Sequence, residues 1–98
     1  MPIEQGDIIS IEKIQGPFLV VSKNFFNTIE QVIVCPIVSD TFPDPLHIVI
    51  RTDEVDGIVM CEQMRLIDLR YRGFKKVTNI HYPDIIDITD AIQSIFDF

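Results

Sequence analysis

The stretch Gly16-Pro17-Phe18-Leu19-Val20-Val21-Ser22-Lys23-Asn24-Phe25-Phe26-Asn27, GPFLVVSKNFFN, decides how this chain is read. A Gly-Pro pair opens it, an apolar run follows, and Asn24 and Asn27 close it with side chains that tolerate turn geometry. A short continuous run rich in β-branched residues between turn formers suits a strand buried on both faces. QVIVCPIV at 31–38 repeats the pattern, so two such strands are expected side by side in sequence. Upstream, DIISIEKI alternates imperfectly, as a half-buried strand does.

Downstream, SDTFPDP packs Ser, Asp and Pro into a loop, and Pro43 and Pro45 bias Phe42 and Asp44 toward extended backbone. LHIVIR reads as a strand and TDEVDG as a turn. IVMCEQMRLIDLR reads as one long strand, or one bent by a bulge near Glu62-Gln63, and FKKVTNI as another strand. The period changes at Tyr82-Pro83. From there Ile85, Ile88, Ala91, Ile92, Ile95 and Phe96 recur at the spacing of one helical face. Pro83 suits a first helical turn, where Asp84 and Asp87 meet the favourable end of the helix dipole. The expected architecture is mainly β with a C-terminal helix: a small, strongly bent sheet or partly open barrel with the helix packed on it.

At 98 residues the chain is expected to form one domain around one core. No apolar run approaches the roughly 20 residues that a membrane helix needs, so no membrane partner is expected. MPIEQGDIIS has no basic flank before an apolar segment, which makes a cytoplasmic location the expectation. Cys35 and Cys61 lie in VIVCPIV and GIVMCEQ without a CxxC pair. They read as small buried hydrophobes, reduced in the cytosol, and neither a metal nor a cofactor is expected. His47 and His81 have no partner at motif spacing and read as surface or packing residues. The phenylalanines Phe18, Phe25, Phe26, Phe42 and Phe74 read mostly as core. Phe25 and Phe26 cannot both point inward from one turn, which leaves one as a stacking platform or partner anchor.

The formal net charge is −7, but it is unevenly spread. RLIDLRYRGFKK, from Arg65 to Lys76, carries five basic groups against Asp68 alone. An acidic chain is a poor general polyanion binder, whereas one concentrated basic stretch can still meet a phosphate backbone locally.

In this order the segments resemble the MazF/PemK (Kid) toxin family. GDIISIE at 6–12 resembles its opening strand, and GPFLVVSKNFFN its second, usually begun by Arg-Pro. VIVCPIVSD resembles its third, commonly ending Pro-Val/Ile-Thr-Ser. DGIVMCEQMRLIDLRYRG at 56–73 resembles Gly-Val-Val-x-x-Asp-Gln-x-Arg-x-Ile-Asp. The resemblance spans nearly the whole chain and implies a MazF/CcdB-like, SH3-like barrel as a single domain over 1–98. It implies a homodimeric toxin of a toxin–antitoxin pair that cleaves single-stranded RNA without metal and is silenced by an antitoxin protein.

Three departures stand out. Gly16 takes the place of the Arg before the Pro, Val38 that of the Thr, and the long first loop shrinks to about EKIQG. A rearranged site is then expected from Arg65, Glu62 and Ser39 as catalytic residues, because the chemistry needs a proton acceptor and a fork of donors at the phosphate. Lys23, Gln63, Arg70, Arg72 and Lys75 are the expected RNA-binding residues. Lys23 and Ser39, at the exits of the second and third strands, are expected near one rim; the alternative to a substrate role for Arg65 is a structural ion pair with Asp68 that fixes strand or dimer geometry. The other reading is a catalytically inert module of the same fold that grips a protein target, which the acidic composition and the missing Arg favour. The residues AIQSIFDF fit both readings.

Overall fold

Three successive apolar strands form the centre of the molecule in the computed structural model, which describes residues 3–96. They are β1 (Asp7–Ile11), β2 (Ile14–Val20) and β3 (Gln31–Val38), joined as an antiparallel meander. Ile8 pairs with Leu19, which pairs with Cys35; one strand position away, Ile9 pairs with Phe18 and Phe18 with Pro36. Side chains alternate between faces along each strand. Ile8, Leu19 and Cys35 therefore enter one core, while Ile9, Phe18 and Val34 enter another on the opposite face. The first strand is buried on both faces, not half-buried as its imperfect alternation implied.

The second edge of β3 is divided. Its first half pairs with β6 (Arg65–Asp68), from Gln31 against Asp68 to Val34 against Arg65. Its second half pairs with β5 (Asp56–Met60), Ile37 against Val59 and Val38 against Ile58. The single long strand expected over IVMCEQMRLIDLR is thus two strands separated by a turn, which carries Glu62 and Gln63 and closes with the Gln63 N–H donating to the Met60 carbonyl. β4 (His47–Arg51) adds outside β5, and β7 (Phe74–Asn79) adds outside β1. The bent, mainly β sheet with a terminal helix matches the expected architecture.

The NFFN turn is a short helix, α1 (Asn24–Asn27), anchored from inside. The buried Asn27 amide donates to the Ser22 carbonyl at 3.0 Å, while the Ser22 hydroxyl donates to Asn27 Oδ1 and accepts the Ile33 N–H. The terminal helix, α2 (Tyr82–Ser94), carries Pro83 in its first turn with Asp84 beside it. It lays Ile88 and Ala91 into the first core, with Ile85 and Ile92 packed at the margin. Gly6, at φ +94°, lets the chain pass beneath it: a Cβ there would lie 2.6 Å from Ile85 Cδ1. Ile95 and Phe96 lie past the end of α2 and stay substantially exposed, so the apolar face is shorter than the spacing implied. The last two residues of AIQSIFDF lie outside the described residues.

Of the five phenylalanines read mostly as core, Phe18 is fully buried, whereas Phe25 and Phe42 are largely exposed and Phe74 is partly so. Most core residues come from strands, whereas Phe25 lies in the short helix α1 and Phe42 in the 39–46 connection. Cys35 and Cys61 are free thiols buried in the first core, where burial first and neighbouring negative charge second push them up to about 12 and about 11. Among the described residues no helix is long and apolar enough to cross a membrane.

Ile88 ties α2 to the sheet at full burial. Ile88→Ala is expected to cost about 2–5 kcal/mol, because the cavity under the helix closes only partly. Ile95→Ala, half-exposed beyond the helix, is expected to stay within about 0.5 kcal/mol. Urea-unfolding midpoints of the two variants check the contrast.

Candidate functional site

The β1–β2 connection is tighter than the EKIQG loop expected. Ile11 pairs directly with Ile14 across Glu12 and Lys13, and Lys13 takes a left-handed φ of 67°. Between that pair and Ile9–Phe18, Gln15, Gly16 and Pro17 stand opposite Ser10 alone, so β2 bulges. Pro17 has no N–H to lose from the ladder, and Gly16 at φ +134° supplies backbone that a side-chain-bearing residue rarely adopts.

This bulge forms one wall of an open cleft of about 480 Å³. Gln15 and Gly16 face Val38, Ser39 and Asp40 at the end of β3, and Asp56 at the start of β5 closes the far side. The cleft therefore unites Gly16 and Val38, the two positions that depart from the resembled family, with the expected catalytic Ser39. No lysine or arginine lines it.

A cation approaches from a neighbouring strand. Arg65 opens β6 opposite Val34, and its guanidinium carbon lies 6.0 Å from the centroid of the Phe18 ring. That ring extends beneath Gly16, where a Cβ would lie 3.4 Å from Phe18 Cε2. The backbones of Arg65 and Ser39 are about 16 Å apart along β3, at about 3.3 Å per residue. The Arg65 side chain spans part of that gap over Phe18, a geometry that attracts a cation to the ring face.

Glu62 belongs to a different cluster. His47 Nε2 lies 2.9 and 3.0 Å from the two Glu62 carboxylate oxygens, and His47 Nδ1 lies 2.8 Å from Asp44 Oδ2. Carboxylates at both ring nitrogens favour the imidazolium. The hydrogen bond to Glu62, followed by the charge of Asp44, raises the His47 pKa from its ordinary 6.5 against partial desolvation. The same hydrogen bond lowers the Glu62 pKa from 4.5. The cluster joins the 39–46 connection to the turn between β5 and β6. The sequence reading missed it because His47 was weighed alone; Asp44, three residues before it across Pro45, was the available signal.

The remaining candidates are scattered. Because β2 and β3 are antiparallel, Lys23 at the exit of β2 sits at the opposite end from Ser39, and the shared rim expected for them does not form. Lys23 instead borders a groove between α2 and the sheet, with Tyr82 and Ile86. Asp68 pairs with Arg70 rather than Arg65: Arg70 donates to it from Nη2 at 2.7 Å and from Nε at 3.0 Å. That bond holds the Asp68 carboxyl down at about 2. Arg65 and Asp68 are three positions apart on a strand and so face opposite ways. Arg72 is exposed in the turn before β7, Lys75 is exposed on β7, and Gln63 is exposed beside Glu62.

Three comparisons bear on this arrangement. The family described as PemK-like, MazF-like toxin of type II toxin-antitoxin system matches residues 4–96. No curated protein matches the chain. Among solved structures, the MazE–MazF complex of Deinococcus radiodurans (Form-II) is similar at TM-score 0.87 and 18% identity, over 100% of this chain and 98% of that one. An endoribonuclease from mycobacterial species is similar at TM-score 0.84 and 15% identity, over 98% and 92%. The Mycobacterium tuberculosis toxin MazF-mt6 is similar at 0.76 and 15%, over 95% and 97%. Identities this low establish the fold.

The shifts at His47 and Glu62 define a pH window. A raised His47 contributes stability fully below about 6.5, lost as pH climbs through its folded value; a lowered Glu62 contributes above about 4.5, lost as pH falls through its folded value. The pair therefore holds best between these limits. NMR titration of the His47 ring protons is expected to give a midpoint above 6.5, falling toward it in Glu62→Gln. An unchanged midpoint in that variant would show that Glu62 does not hold the imidazole.

Proposed function

The chain belongs to the PemK-like, MazF-like toxin family of type II toxin–antitoxin systems, and from that membership we propose that it is a metal-independent endoribonuclease acting on single-stranded RNA. The observation that supports this reading is Arg65 over the Phe18 ring, which extends beneath Gly16 of the cleft. Cleavage needs no redox group. The ribose 2′-oxygen attacks phosphorus as its proton passes to a base, the bond to the 5′-oxygen breaks, and that oxygen takes up a proton. A 2′,3′-cyclic phosphate and a 5′-hydroxyl result.

In this proposal Arg65 supplies the charge and donor fork that stabilise the pentavalent phosphorus, in place of the Arg that Gly16 cannot carry. Ser39 offers a hydroxyl to the same phosphate from the end of β3. Glu62, engaged by His47, acts by holding the 39–46 connection rather than by taking the proton. Lys75 and Arg72 supply peripheral phosphate contacts along β7 and the turn before it, with Gln63, Arg70 and Lys23 in lesser roles.

The chain acts as one domain, in the cytoplasm, as a homodimer that covers apolar side chains such as Leu66 and Ile86 left exposed in the monomer. Its regulator is an antitoxin protein. Two structurally similar proteins support that partner: the Deinococcus MazF in its complex with MazE, and a mycobacterial endoribonuclease in complex with its cognate antitoxin.

Incubation of the protein with a long unstructured RNA in EDTA, followed by end mapping, tests the reading. Discrete cuts with cyclic-phosphate ends are expected, reduced about 100-fold or more in Arg65→Ala, the loss typical of a preorganised transition-state donor. Gly16→Arg in the Arg65→Ala background is expected not to restore cutting, because φ +134° disfavours any side chain there. Intact RNA at high protein concentration would overturn the nuclease reading and leave the protein-binding one.

A further inference from the structure

The connection between β3 and β4 leaves Phe42 85% exposed, the most exposed large apolar side chain among the described residues. Lone exposed hydrophobic residues are ordinary on protein surfaces. This one differs in how its backbone is held. The Asp44 N–H donates to the His47 carbonyl at 3.1 Å and the His47 N–H to the Asp44 carbonyl at 3.0 Å. Asp44 Oδ1 accepts the Leu46 N–H at 2.8 Å, and Asp44 Oδ2 lies 2.8 Å from the imidazole. His47 in turn is fastened to Glu62, in the turn between β5 and β6. Pro43 restricts Phe42 to extended backbone and removes one more freedom. On its other side Phe42 stands two residues beyond Asp40, which with Ser39 lines the cleft.

An apolar ring left in water gains nothing for the fold. With the residues that follow it already fastened, a flat partner stacking on it has mainly the side-chain torsions of Phe42 left to order. We propose that Phe42 is a nucleobase-stacking platform for the single-stranded substrate, with His47 as the positioning residue that keeps it in place. The inference rests on the ribonuclease reading above. Base–aromatic stacking is sequence-tolerant and contributes an affinity factor of roughly 5 to 150 per base. Phe25 is nearly as exposed, but α1 lies at the end of β2 opposite the cleft and provides the internal control.

The chain has no tryptophan, so Phe42→Trp creates a single fluorescent reporter in the full-length protein. Titration with a 2′-deoxy oligonucleotide, which cannot be cleaved by this route, is expected to quench that reporter. Phe42→Leu is expected to weaken binding of the same oligonucleotide by roughly 5- to 150-fold, and to raise KM for RNA with kcat little changed. Phe42→Tyr restores both, and Phe25→Leu alters neither. His47→Asn is expected to weaken binding in the Phe42 chain and to add nothing in Phe42→Leu, a coupling that a merely structural role would not produce. Equal affinity of Phe42→Leu and the unaltered chain, or an unquenched Trp while the oligonucleotide binds, would overturn the platform and leave the ribonuclease reading standing. Loss of antitoxin capture in Phe42→Leu with nucleic-acid binding intact would assign the ring to a protein contact instead. An unaltered chain that neither binds the oligonucleotide nor cuts RNA overturns the reading beneath, and the platform falls with it.

Discussion

The divided edge of β3 is the constraint on which the rest of the molecule depends. One eight-residue strand pairs along one side with β2 and along the other with two different strands, β6 for its first half and β5 for its second. Its two faces serve different cores: Val32 and Val34 enter one, Cys35 and Ile37 the other, which is why QVIVCPIV is apolar nearly throughout. The division forces the chain to leave the sheet at Cys61 and return at Arg65. That excursion creates the turn holding Glu62, and it starts β6 where the Arg65 side chain can lie over Phe18.

The cleft follows from the same geometry. Its two walls are the bulged start of β2 and the end of β3, antiparallel neighbours, so the residues that face each other are far apart in sequence but fixed by register. At Gly16 the bulge adopts a backbone that costs a side-chain-bearing residue strain, which makes the absence of an Arg there a property of the local chain path and not of one codon. Arg65 is connected to that position through Phe18, which shares a face with Gly16 and with Val34 and links the two through a single ring.

Much of the fold was legible because it rests on local pattern. Continuous β-branched runs marked β2 and β3, the change of period at Pro83 marked α2, and the Pro-Asp-Pro cluster marked the 39–46 connection. What was not legible depends on pairing. The polar Glu62-Gln63 pair marked where IVMCEQMRLIDLR is interrupted, but a full turn there rather than a bulge follows from β5 and β6 pairing with different halves of one strand. Antiparallel order alone would have separated Lys23 from Ser39, a step the reading by adjacency skipped. Asp68 chose Arg70 over Arg65 because a strand turns neighbours three apart to opposite faces, while the chain leaving β6 curls back on itself. The aromatic residues of the connections were assigned to the core by type, whereas the connection residues that do reach the cores, Cys61, Leu69 and Ile80, directly flank strands, and Phe25 and Phe42 do not.

The unequal distribution of charge now has a structural sense. Asp40 and Asp56 line the cleft, Asp44 and Glu62 engage His47, and five of the eight lysines and arginines lie on β6, β7 and the connection between them. Two of those cations are already neutralised within the chain, Arg70 by Asp68 and Lys76 by the buried Asp7. A polyanion approaching this surface meets few free positive charges, so phosphate contacts alone cannot supply much affinity. What the surface does offer is an exposed aromatic ring on the connection that leaves the cleft and one arginine lying over a second ring. On the ribonuclease proposal, recognition here would lean on bases more than on backbone, from a 39–46 connection that His47 already braces.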